Sequence, residues 1–360
     1  MKNKYVIGLN SGTSFDGIDV ALVKFKKGSL IPIFVDGFVC EYPKIIKRMV
    51  GAIHELSVGK ISQLNFLLGE LFADAALKMV KKVRARRGAP LLIASHGQTI
   101  FHEPGKSTLQ IGESSVIAQR TSIKTISNFR EADIAAGGQG APLMPFLDWI
   151  VFGRGVPRRA LLNIGGISNV TVVGKNIEPI AFDIGPGNAL IDLISKKYFK
   201  KNFDKDGGIA KKGEINFKLV DNALKDPYFK LKPPKSTGKE YFNERFVEKY
   251  FSKIKNKHDK IATVTWLTAK TIADSLQKYN VKEIIISGGG IKNKTLMKHL
   301  KTMLPNLKIV ISDKYGLPWK YKEAMLFALL DYTCHLGIPN NMPSCTGAKK
   351  RIILGKMIGL

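Results

Sequence analysis

The sequence predicts an α/β fold, because short apolar strands alternate with amphipathic helices and several strands end in glycine-rich turns. The chain has 360 residues. At about 100–200 residues per domain, this length indicates two domains or one large α/β unit. Apolar residues make up 44% of the chain, enough for a substantial core, which excludes a disordered protein.

The first two strands are predicted to form a hairpin. The apolar runs at residues 5–10 and 18–23 flank the polar glycine loop 11–17, a pattern typical of a β-hairpin with a long loop. Further strands are predicted at residues 91–94, 160–164, 167–173, 179–183 and 283–286. Helices are predicted at residues 60–87, 189–199, 261–279, 295–304 and 323–335, with a last helix beginning at Thr346.

Four strand ends carry glycine turns with Asp, Ser, Thr or Asn beside them. They lie at residues 11–17, 165–166, 184–188 and 287–290. Such turns let backbone N–H groups approach an anion, and a helix N-terminus adds the positive end of its dipole. One such turn means little in a chain with 34 glycines, but four of them together predict nucleotide binding.

The strong positive charge raises the alternative of a nucleic-acid-binding protein. The chain holds 57 basic and 29 acidic side chains, a formal net charge of +28, and lysine and arginine dominate phosphate-backbone affinity. Most of the basic residues are lysines, whereas bidentate phosphate contacts favour arginine. The lysines are also scattered along the chain. We therefore interpret the charge as a solvated, lysine-rich surface and do not expect nucleic acid as a partner.

Other compositional features place the protein in a reducing compartment. The three cysteines, Cys40, Cys334 and Cys345, form no C-x-x-C pair and no disulfide framework. The N-terminal region has no signal-peptide pattern, and no apolar run reaches the length of a membrane span. These observations predict a soluble, cytoplasmic protein without a membrane partner.

Several common catalytic motifs are missing from the sequence. The Gly105-Lys106-Ser107 triplet lacks the first glycine of a P-loop, since position 100 is Ile. No G-x-G-x-x-G, H-E-x-x-H or G-x-S-x-G pattern occurs. A dinucleotide-binding Rossmann domain, a zinc peptidase and an α/β-hydrolase are therefore excluded as first hypotheses.

Two carboxylates stand in places suited to phosphate chemistry. Asp16 lies in the first glycine loop, where it could hold Mg²⁺ directly or through water, or could cap its own turn. Asp183 ends a predicted strand beside the 184–188 break, the position in which an α/β protein presents a carboxylate to its substrate.

Read in order, the glycine turns resemble the phosphate-1, phosphate-2 and adenosine motifs of the sugar kinase/actin/Hsp70 superfamily. Within that superfamily the chain resembles the anhydro-N-acetylmuramic acid kinase family. The segments that carry the resemblance are residues 10–19 (NSGTSFDGID), 95–99 (SHGQT), 128–142 (NFREADIAAGGQGAP), 163–169 (NIGGISN), 182–188 (FDIGPGN), 322–324 (KEA) and 346–348 (TGA). Asn10 and Phe15 depart from the usual Met and Leu of the family, and the lysine-rich segment 196–260 resembles it least.

The resemblance implies a fold of two actin-like (ribonuclease H-like) domains around an interdomain active-site cleft. The first domain is expected at residues 1–127 plus about 341–360, and the second at 128–340, with the phosphate-2 and adenosine motifs. It also implies a homodimer and a set of ATP-binding residues. These are Gly12, Thr13, Ser14, Phe15, Asp16, Gly17, Ile18, Asp19, Gly165, Gly166, Gly187, Gly288 and Gly289.

The family phosphorylates O6 of 1,6-anhydro-N-acetylmuramic acid with ATP and Mg²⁺, and opens the anhydro bridge with water. The product, N-acetylmuramate 6-phosphate, belongs to cell-wall recycling. Asp183 matches the catalytic base of the family by position. For Asp16, the resemblance suggests a metal role together with the ATP phosphates.

The resemblance also suggests which residues bind the sugar: His96, Gln98, Thr99, Arg130 and Glu323. Arg130 is a candidate for contact with the lactyl carboxylate, although an interdomain salt bridge is an equally good interpretation. Glu323 could act in the active site or simply place a negative charge at a helix N-terminus. Another sugar kinase or phosphatase of the superfamily, or a basic ATP- or nucleic-acid-binding module, remains an alternative.

Overall fold

The computed structural model of the protein describes residues 4–12, 15–84, 92–153 and 157–359. The chain divides into two compact units. Unit 1 comprises Met1–Val151 and Gly316–Leu360, and unit 2 comprises Phe152–Tyr315. Each unit is built on its own β-sheet with helices packed on it, so the predicted α/β class is confirmed.

The described part of unit 1 contains a seven-stranded mixed sheet. Its strands are β1 (Lys4–Ser11), β2 (Gly17–Phe25), β3 (Ile33–Glu41), β4 (Leu92–Glu103), β5 (Ser107–Ile111), β6 (Thr125–Ser127) and β12 (Lys356–Ile358). The sheet order is β12-β6-β4-β1-β2-β3, and β5 pairs with β4. β1 and β2 form the predicted antiparallel hairpin, whereas β1, β4 and β6 run parallel.

The helices of unit 1 are α1 (Lys44–Gly51), α2 (Val58–Arg84), α3 (Ser114–Thr121), α4 (Glu131–Ala135), α5 (Met144–Phe152, which ends one residue into unit 2), α12 (Lys322–His335) and α13 (Pro343–Thr346). Ile7 and Leu9 of β1 share a core with Leu68 of α2. Gly8 faces α12 instead, because neighbouring residues of a strand point to opposite faces. A Cβ atom at Gly8 would lie 1.9 Å from the carbonyl oxygen of Ala324. This glycine therefore allows α12 to lie directly on β1.

Unit 2 has a five-stranded sheet in the order β11-β10-β7-β8-β9. The strands are β7 (Arg159–Ile164), β8 (Ile167–Val173), β9 (Ile180–Pro186), β10 (Glu283–Ser287) and β11 (Lys308–Ile311). The helices are α6 (Ala189–Phe199), α7 (Phe217–Ala223), α8 (Pro227–Lys230), α9 (Glu244–Phe251), α10 (Lys257–Gln277) and α11 (Lys294–Met303). α10 and α11 cover the sheet through one apolar core, and a second core joins α10 to α6, α7 and α9.

The unit boundaries differ from those predicted at residues 127 and 340. Residues 128–151 and 316–340 lie in unit 1 rather than in the second domain. Residues 316–340 belong to unit 1 because they contain α12, which packs against β1, β2 and β4. The buried Asp133 fixes residues 128–151, because its carboxylate accepts hydrogen bonds from Asn341 (3.1 Å) and Thr346 (2.8 Å).

Two element predictions are wrong. The strand expected to end at residue 94 continues through Glu103, and Gly97 keeps it continuous at a left-handed φ of 70°. Thr346 ends α13 rather than starting a helix, and the chain then forms β12. No helix in the described parts of the chain is both long and apolar enough to cross a membrane.

Candidate functional site

In unit 1, the predicted phosphate loop joins β1 to β2. Thr13 and Ser14 lie outside the described residues. Phe15 adopts a left-handed φ of 56° and donates its N–H to the carbonyl of Gly12 at 3.3 Å, which closes the loop. No described atom lies within 4 Å of a Cβ position at Gly12, and Asp16 is exposed. As far as the described residues show, space remains beside the backbone of Gly12, and a carboxylate lies in the same loop.

A buried glutamine supports this loop from β4. Gln98 is fully buried. Its amide Nε2 donates to the carbonyls of Gly12 (3.4 Å) and Thr99 (3.2 Å), and its Oε1 lies 2.7 Å from the hydroxyl of Ser11. Gln98, predicted to bind the sugar, is therefore placed where its polar atoms hold the loop.

His96 and Arg130 lie together on the same side of unit 1. Nε2 of His96 is 3.3 Å from Nη2 of Arg130, and the His96 ring stacks on Phe327 with 4.2 Å between centroids. Burial and the neighbouring guanidinium hold the pKa of His96 well below its usual range. Nε2 faces a permanent donor, so this ring is a neutral acceptor that orients Arg130.

The guanidinium of Arg130 is bound by neutral groups. Nη1 donates to the carbonyl of Gly140 at 2.9 Å, and Nη2 faces His96. Nε has no hydrogen-bond partner among the described residues. Burial lowers the pKa of Arg130, while the charges of Glu323 and Glu131 raise it. The site therefore contains a sheltered guanidinium that hydrogen-bonds only neutral groups among the described residues, while the charges of Glu323 and Glu131 act on it.

Glu323 occupies the first turn of α12, and β1 fixes its carboxylate. The side-chain amide of Asn10 donates to its Oε2 at 2.7 Å. The adjacent Lys322 forms a buried ion pair with Asp148 of α5, also at 2.7 Å. Burial first, and then the charge of Glu323, raise the pKa of Asp19 to about 6.

Thr99 is half-buried, and its hydroxyl lies 3.4 Å from Nε2 of His96.

In unit 2, Asp183 lies within β9 rather than at its end. Its Oδ2 accepts the backbone N–H of Thr237 at 2.9 Å, and its carbonyl accepts the hydroxyl of Tyr228 at 2.7 Å. No described residue hydrogen-bonds the second carboxylate oxygen, Oδ1. Burial raises the pKa of Asp183, partly opposed by the Thr237 hydrogen bond and by Lys235. Such a carboxylate is a stronger base than a solvated one.

The glycine turn at Gly165–Gly166 is tied to the start of α6. The N–H groups of Gly187 and Ala189 donate to the carbonyl of Gly166, and that of Asn188 donates to the carbonyl of Gly165, all at 2.8–2.9 Å. A Cβ at Gly187 would lie 2.4 Å from the carbonyl oxygen of Gly165, so only glycine fits. These donors at the helix start serve the turn rather than a ligand.

The third glycine turn follows β10. Gly288 has a left-handed φ of 88°, and a Cβ there would lie 2.6 Å from the carbonyl oxygen of Ile164. No described atom lies within 4 Å of a Cβ at Gly289. Gly288 therefore serves the close approach to β7, whereas Gly289 leaves open space.

Sequence reasoning did not identify the residues that hydrogen-bond the carboxylates of Glu323 and Asp183. Asn10 interrupts an apolar strand, and that buried amide was a signal for a partner. Thr237 acts through its backbone N–H, which leaves no trace in residue type. Tyr228 and Thr237 both lie in the lysine-rich segment from which no function was expected.

Glycine turns at strand ends, and a half-buried carboxylate within β9, are features that fit an α/β phosphotransferase. The family model for anhydro-N-acetylmuramic acid kinase matches residues 4–359. The chain belongs to the anhydro-N-acetylmuramic acid kinase family, which confirms the resemblance found in the sequence.

Relatives of this name match nearly the whole chain. The anhydro-N-acetylmuramic acid kinase of Caldanaerobacter subterraneus subsp. tengcongensis is 43% identical, over 99% of this chain and 97% of the relative. That of Bacillus cereus is 41% identical, over 98% of both chains. A solved structure, component A of (R)-2-hydroxyglutaryl-CoA dehydratase from Acidaminococcus fermentans, has a TM-score of 0.46 at 14% identity, over 92% and 98%. That likeness is too distant to support an inference.

Proposed function

We propose that this protein transfers the γ-phosphoryl group of ATP to O6 of 1,6-anhydro-N-acetylmuramic acid and opens the anhydro bridge with water. The product would be N-acetylmuramate 6-phosphate, and the reaction would serve peptidoglycan recycling. Membership of the family supports this activity. The observation that carries the mechanism is Asp183, with one carboxylate oxygen held by Thr237 and no described residue hydrogen-bonded to the other.

Asp183 is proposed as the general base. O6 of the substrate is an ether oxygen without a proton, so a base cannot activate it directly. Asp183 instead takes a proton from water as the water oxygen bonds to C1. The C1–O6 bond breaks, O6 bonds to the γ-phosphorus, and the bond from that phosphorus to the ADP oxygen breaks. One anhydro sugar, one water and one ATP thus give one 6-phosphorylated sugar, one ADP and one proton on Asp183.

ATP binding is proposed for the glycine turns. No described atom lies within 4 Å of a Cβ position at Gly12 or Gly289, which fits a ligand that lies against bare backbone there. The start of α6 binds its own turn through Gly187, so we assign the phosphates mainly to the residue 12–19 loop and to Gly165–Gly166. Nucleotide titration of Gly289→Ala would test the adenosine assignment.

Mg²⁺ is proposed to bind at Asp16 together with the phosphates of ATP. Among the described residues, no three His, Cys, Asp or Glu side chains form a metal cluster. Mg²⁺ in phosphoryl-transfer sites commonly takes only one or two carboxylates plus phosphate oxygens. The exposed Asp16 in the loop fits that donor set, and the ion would neutralise phosphate charge there.

Sugar binding is proposed for Arg130, with Glu323, His96 and Thr99 beside it in unit 1. The lactyl carboxylate of the substrate is an anion, and the guanidinium of Arg130 hydrogen-bonds only the carbonyl of Gly140 and the ring of His96 among the described residues. The Glu323 carboxylate, fixed by Asn10, can accept a sugar hydroxyl or amide hydrogen. Gln98 would act indirectly, because its side chain hydrogen-bonds the 11–17 loop.

The decisive experiment is ATP turnover with 1,6-anhydro-N-acetylmuramic acid in ¹⁸O-labelled water. We expect the label at C1 of a 6-phosphorylated product. Label in phosphate, or a phosphorylated sugar with an intact anhydro bridge, would overturn the proposal. Membership of the family does not favour the alternatives, another superfamily kinase or phosphatase and a basic nucleic-acid-binding module. The homodimer and the cytoplasmic location stay predictions.

A further inference from the structure

We propose that residues 235–240 (KSTGKE), here called the 235–240 turn, are a positioning element for the carboxylate of Asp183. This inference rests on the proposed role of Asp183 as the base. It assigns a function to part of the lysine-rich segment 196–260.

The 235–240 turn and its neighbour Tyr228 bind Asp183 at three atoms. The N–H of Thr237 donates to Oδ2 at 2.9 Å. The N–H of Asp183 donates to the carbonyl of Lys235 at 3.0 Å. The hydroxyl of Tyr228 donates to the Asp183 carbonyl at 2.7 Å. Backbone and side chain are thus fixed together, which limits the rotation of the carboxylate.

The turn is itself anchored to Tyr228, whose ring packs against other aromatic side chains. Nζ of Lys235 donates to the carbonyl of Tyr228 at 3.2 Å and lies 4.4 Å from the centroid of its ring. Tyr228 lies two residues after Asp226, a buried carboxylate that accepts the N–H of Tyr228 (3.1 Å) and the hydroxyls of Tyr241 (2.5 Å) and Tyr250 (2.7 Å). Removing the Asp226 anchor would therefore loosen the turn.

The same turn reaches the glycine turn between β7 and β8. Cε of Lys239 lies 2.7 Å from the position that a Cβ of Gly166 would take. The turn that holds Asp183 through Thr237 and Lys235 therefore also places Lys239 beside one of the predicted phosphate-binding glycines. Such a connection suits a reaction in which water attack and phosphoryl transfer are concerted.

The two charged side chains that act on Asp183, Lys235 and Glu240, both belong to this turn. Lys235 lowers the pKa of Asp183 and Glu240 raises it, while the Thr237 N–H stabilises the ionised carboxylate. Tyr228 is neutral, since burial and Asp183 raise its pKa. Lys278 acts on Lys235. Each of these groups can be altered without touching the reacting atoms.

The first test compares Thr237→Pro with Thr237→Ala in the full chain. Proline removes the N–H donor, whereas alanine keeps it. We expect Thr237→Pro to lower kcat at least tenfold, with a smaller change in KM, and to move the acid limb of the kcat–pH profile to higher pH. The acid limb of Thr237→Ala should stay where it is in the wild type. Coincident acid limbs for a folded Thr237→Pro and Thr237→Ala would overturn the inference.

A second test remains decisive if the proline variant does not fold. Lys235→Gln should move the acid limb up by about 0.3–1 pH unit, and Glu240→Gln should move it down by a similar amount. The exposed Lys232→Gln is the charge-matched control, since Lys232 is not among the charges acting on Asp183. Opposite displacements support the positioning role, and superimposable profiles for all three variants overturn it.

Failure of the proposed function would look different. If Asp183→Asn turned over at the wild-type rate, Asp183 would not be the base and the proposed mechanism would fail. If Asp183→Asn is inactive but the turn variants share the wild-type pH profile, only the positioning role fails.

Discussion

Asn10 donates its side-chain amide to the carboxylate of Glu323 across 2.7 Å, although 313 positions separate the two residues in the chain. The bond is possible because Gly8, two residues earlier in β1, lets α12 lie directly on the strand. Strand and helix together fix a carboxylate that would otherwise sample several rotamers on an exposed helical turn.

The first prediction concerns this amide. Asn10→Leu should lower kcat/KM for the sugar about tenfold, because a hydrogen bond to a charged group is lost. Asn10→Asp should lower it further, since its carboxylate would face Glu323 beside Asp19. Steady-state kinetics of both variants check this order. An Asn10→Asp protein with wild-type kcat/KM would contradict the role given to Asn10.

The second prediction concerns the base. Asp183→Asn should keep the fold and its ATP affinity but lose about 10²–10⁴ of turnover, because the amide cannot accept the proton from water. Calorimetric ATP titration and circular dichroism provide the controls. In the wild type, the raised pKa of Asp183 should place the acid limb of kcat above the range of a solvated aspartate.

The third prediction concerns recognition of the lactyl group. Arg130→Gln should reduce the preference for 1,6-anhydro-N-acetylmuramic acid over 1,6-anhydro-N-acetylglucosamine, which lacks that carboxylate, by about tenfold or more. The KM for ATP should change little. Competition between the two sugars measures the ratio directly, and an unaltered ratio would remove Arg130 from carboxylate binding.

The fourth prediction concerns the packing of α12 on β1. Gly8→Ala should destabilise the protein by about 1–3 kcal/mol or more, because its Cβ would overlap the carbonyl oxygen of Ala324. Gly51→Ala is the matched control, since no described atom lies within 4 Å of a Cβ there. Urea unfolding should separate the two variants. Equal midpoints would show that β1 and α12 can move apart freely.

The fifth prediction concerns Asp331, a fully buried residue of α12. Neither of its carboxylate oxygens has a hydrogen-bond partner in the described parts of the chain, and burial raises its pKa well above the usual range. The carboxyl group of Asp331 therefore binds a proton more tightly in the native state than in the unfolded state. This tighter proton binding stabilises the native state fully below pH of about 4, and the stabilisation is lost as the pH rises towards the native pKa.

Asp331→Asn removes that titration. We expect the variant to gain about 1–3 kcal/mol of unfolding free energy relative to wild type as the pH rises from 5 to 8. Urea unfolding at several pH values measures the difference. Parallel stability curves for the two proteins would show that Asp331 does not titrate on unfolding.

The sequence predicted those parts of the fold that depend on local patterns. The β1–β2 hairpin and α11 follow apolar periodicity closely, and the structure places them within one or two residues of the expected bounds. β3 was missed because its residues are only half-buried and lack a clear alternation. The C-terminal helix was wrongly expected to begin at Thr346. The backbone conformation there depends on a long-range contact, the hydrogen bond from the Thr346 hydroxyl to Asp133.

The candidate site was predictable wherever a side chain or a glycine carries the chemistry. Asp183, Arg130 and Glu323 can be named from motifs, but what holds them cannot. The donor to Asp183 is a backbone N–H supplied 54 positions away. The partner of Glu323 lies at the opposite end of the chain. Such pairings come from topology, which residue types alone do not encode.

The division of the chain has a consequence for the order of events during synthesis. Unit 2 is continuous, from Phe152 to Tyr315, whereas unit 1 needs residues 316–360 to add α12, β12 and the partners of Asp133. Domains generally fold as units while the chain emerges from the ribosome. The scaffold around Asp183 can therefore form first, and the first 151 residues must wait for the C-terminal segment before Glu323 meets Asn10.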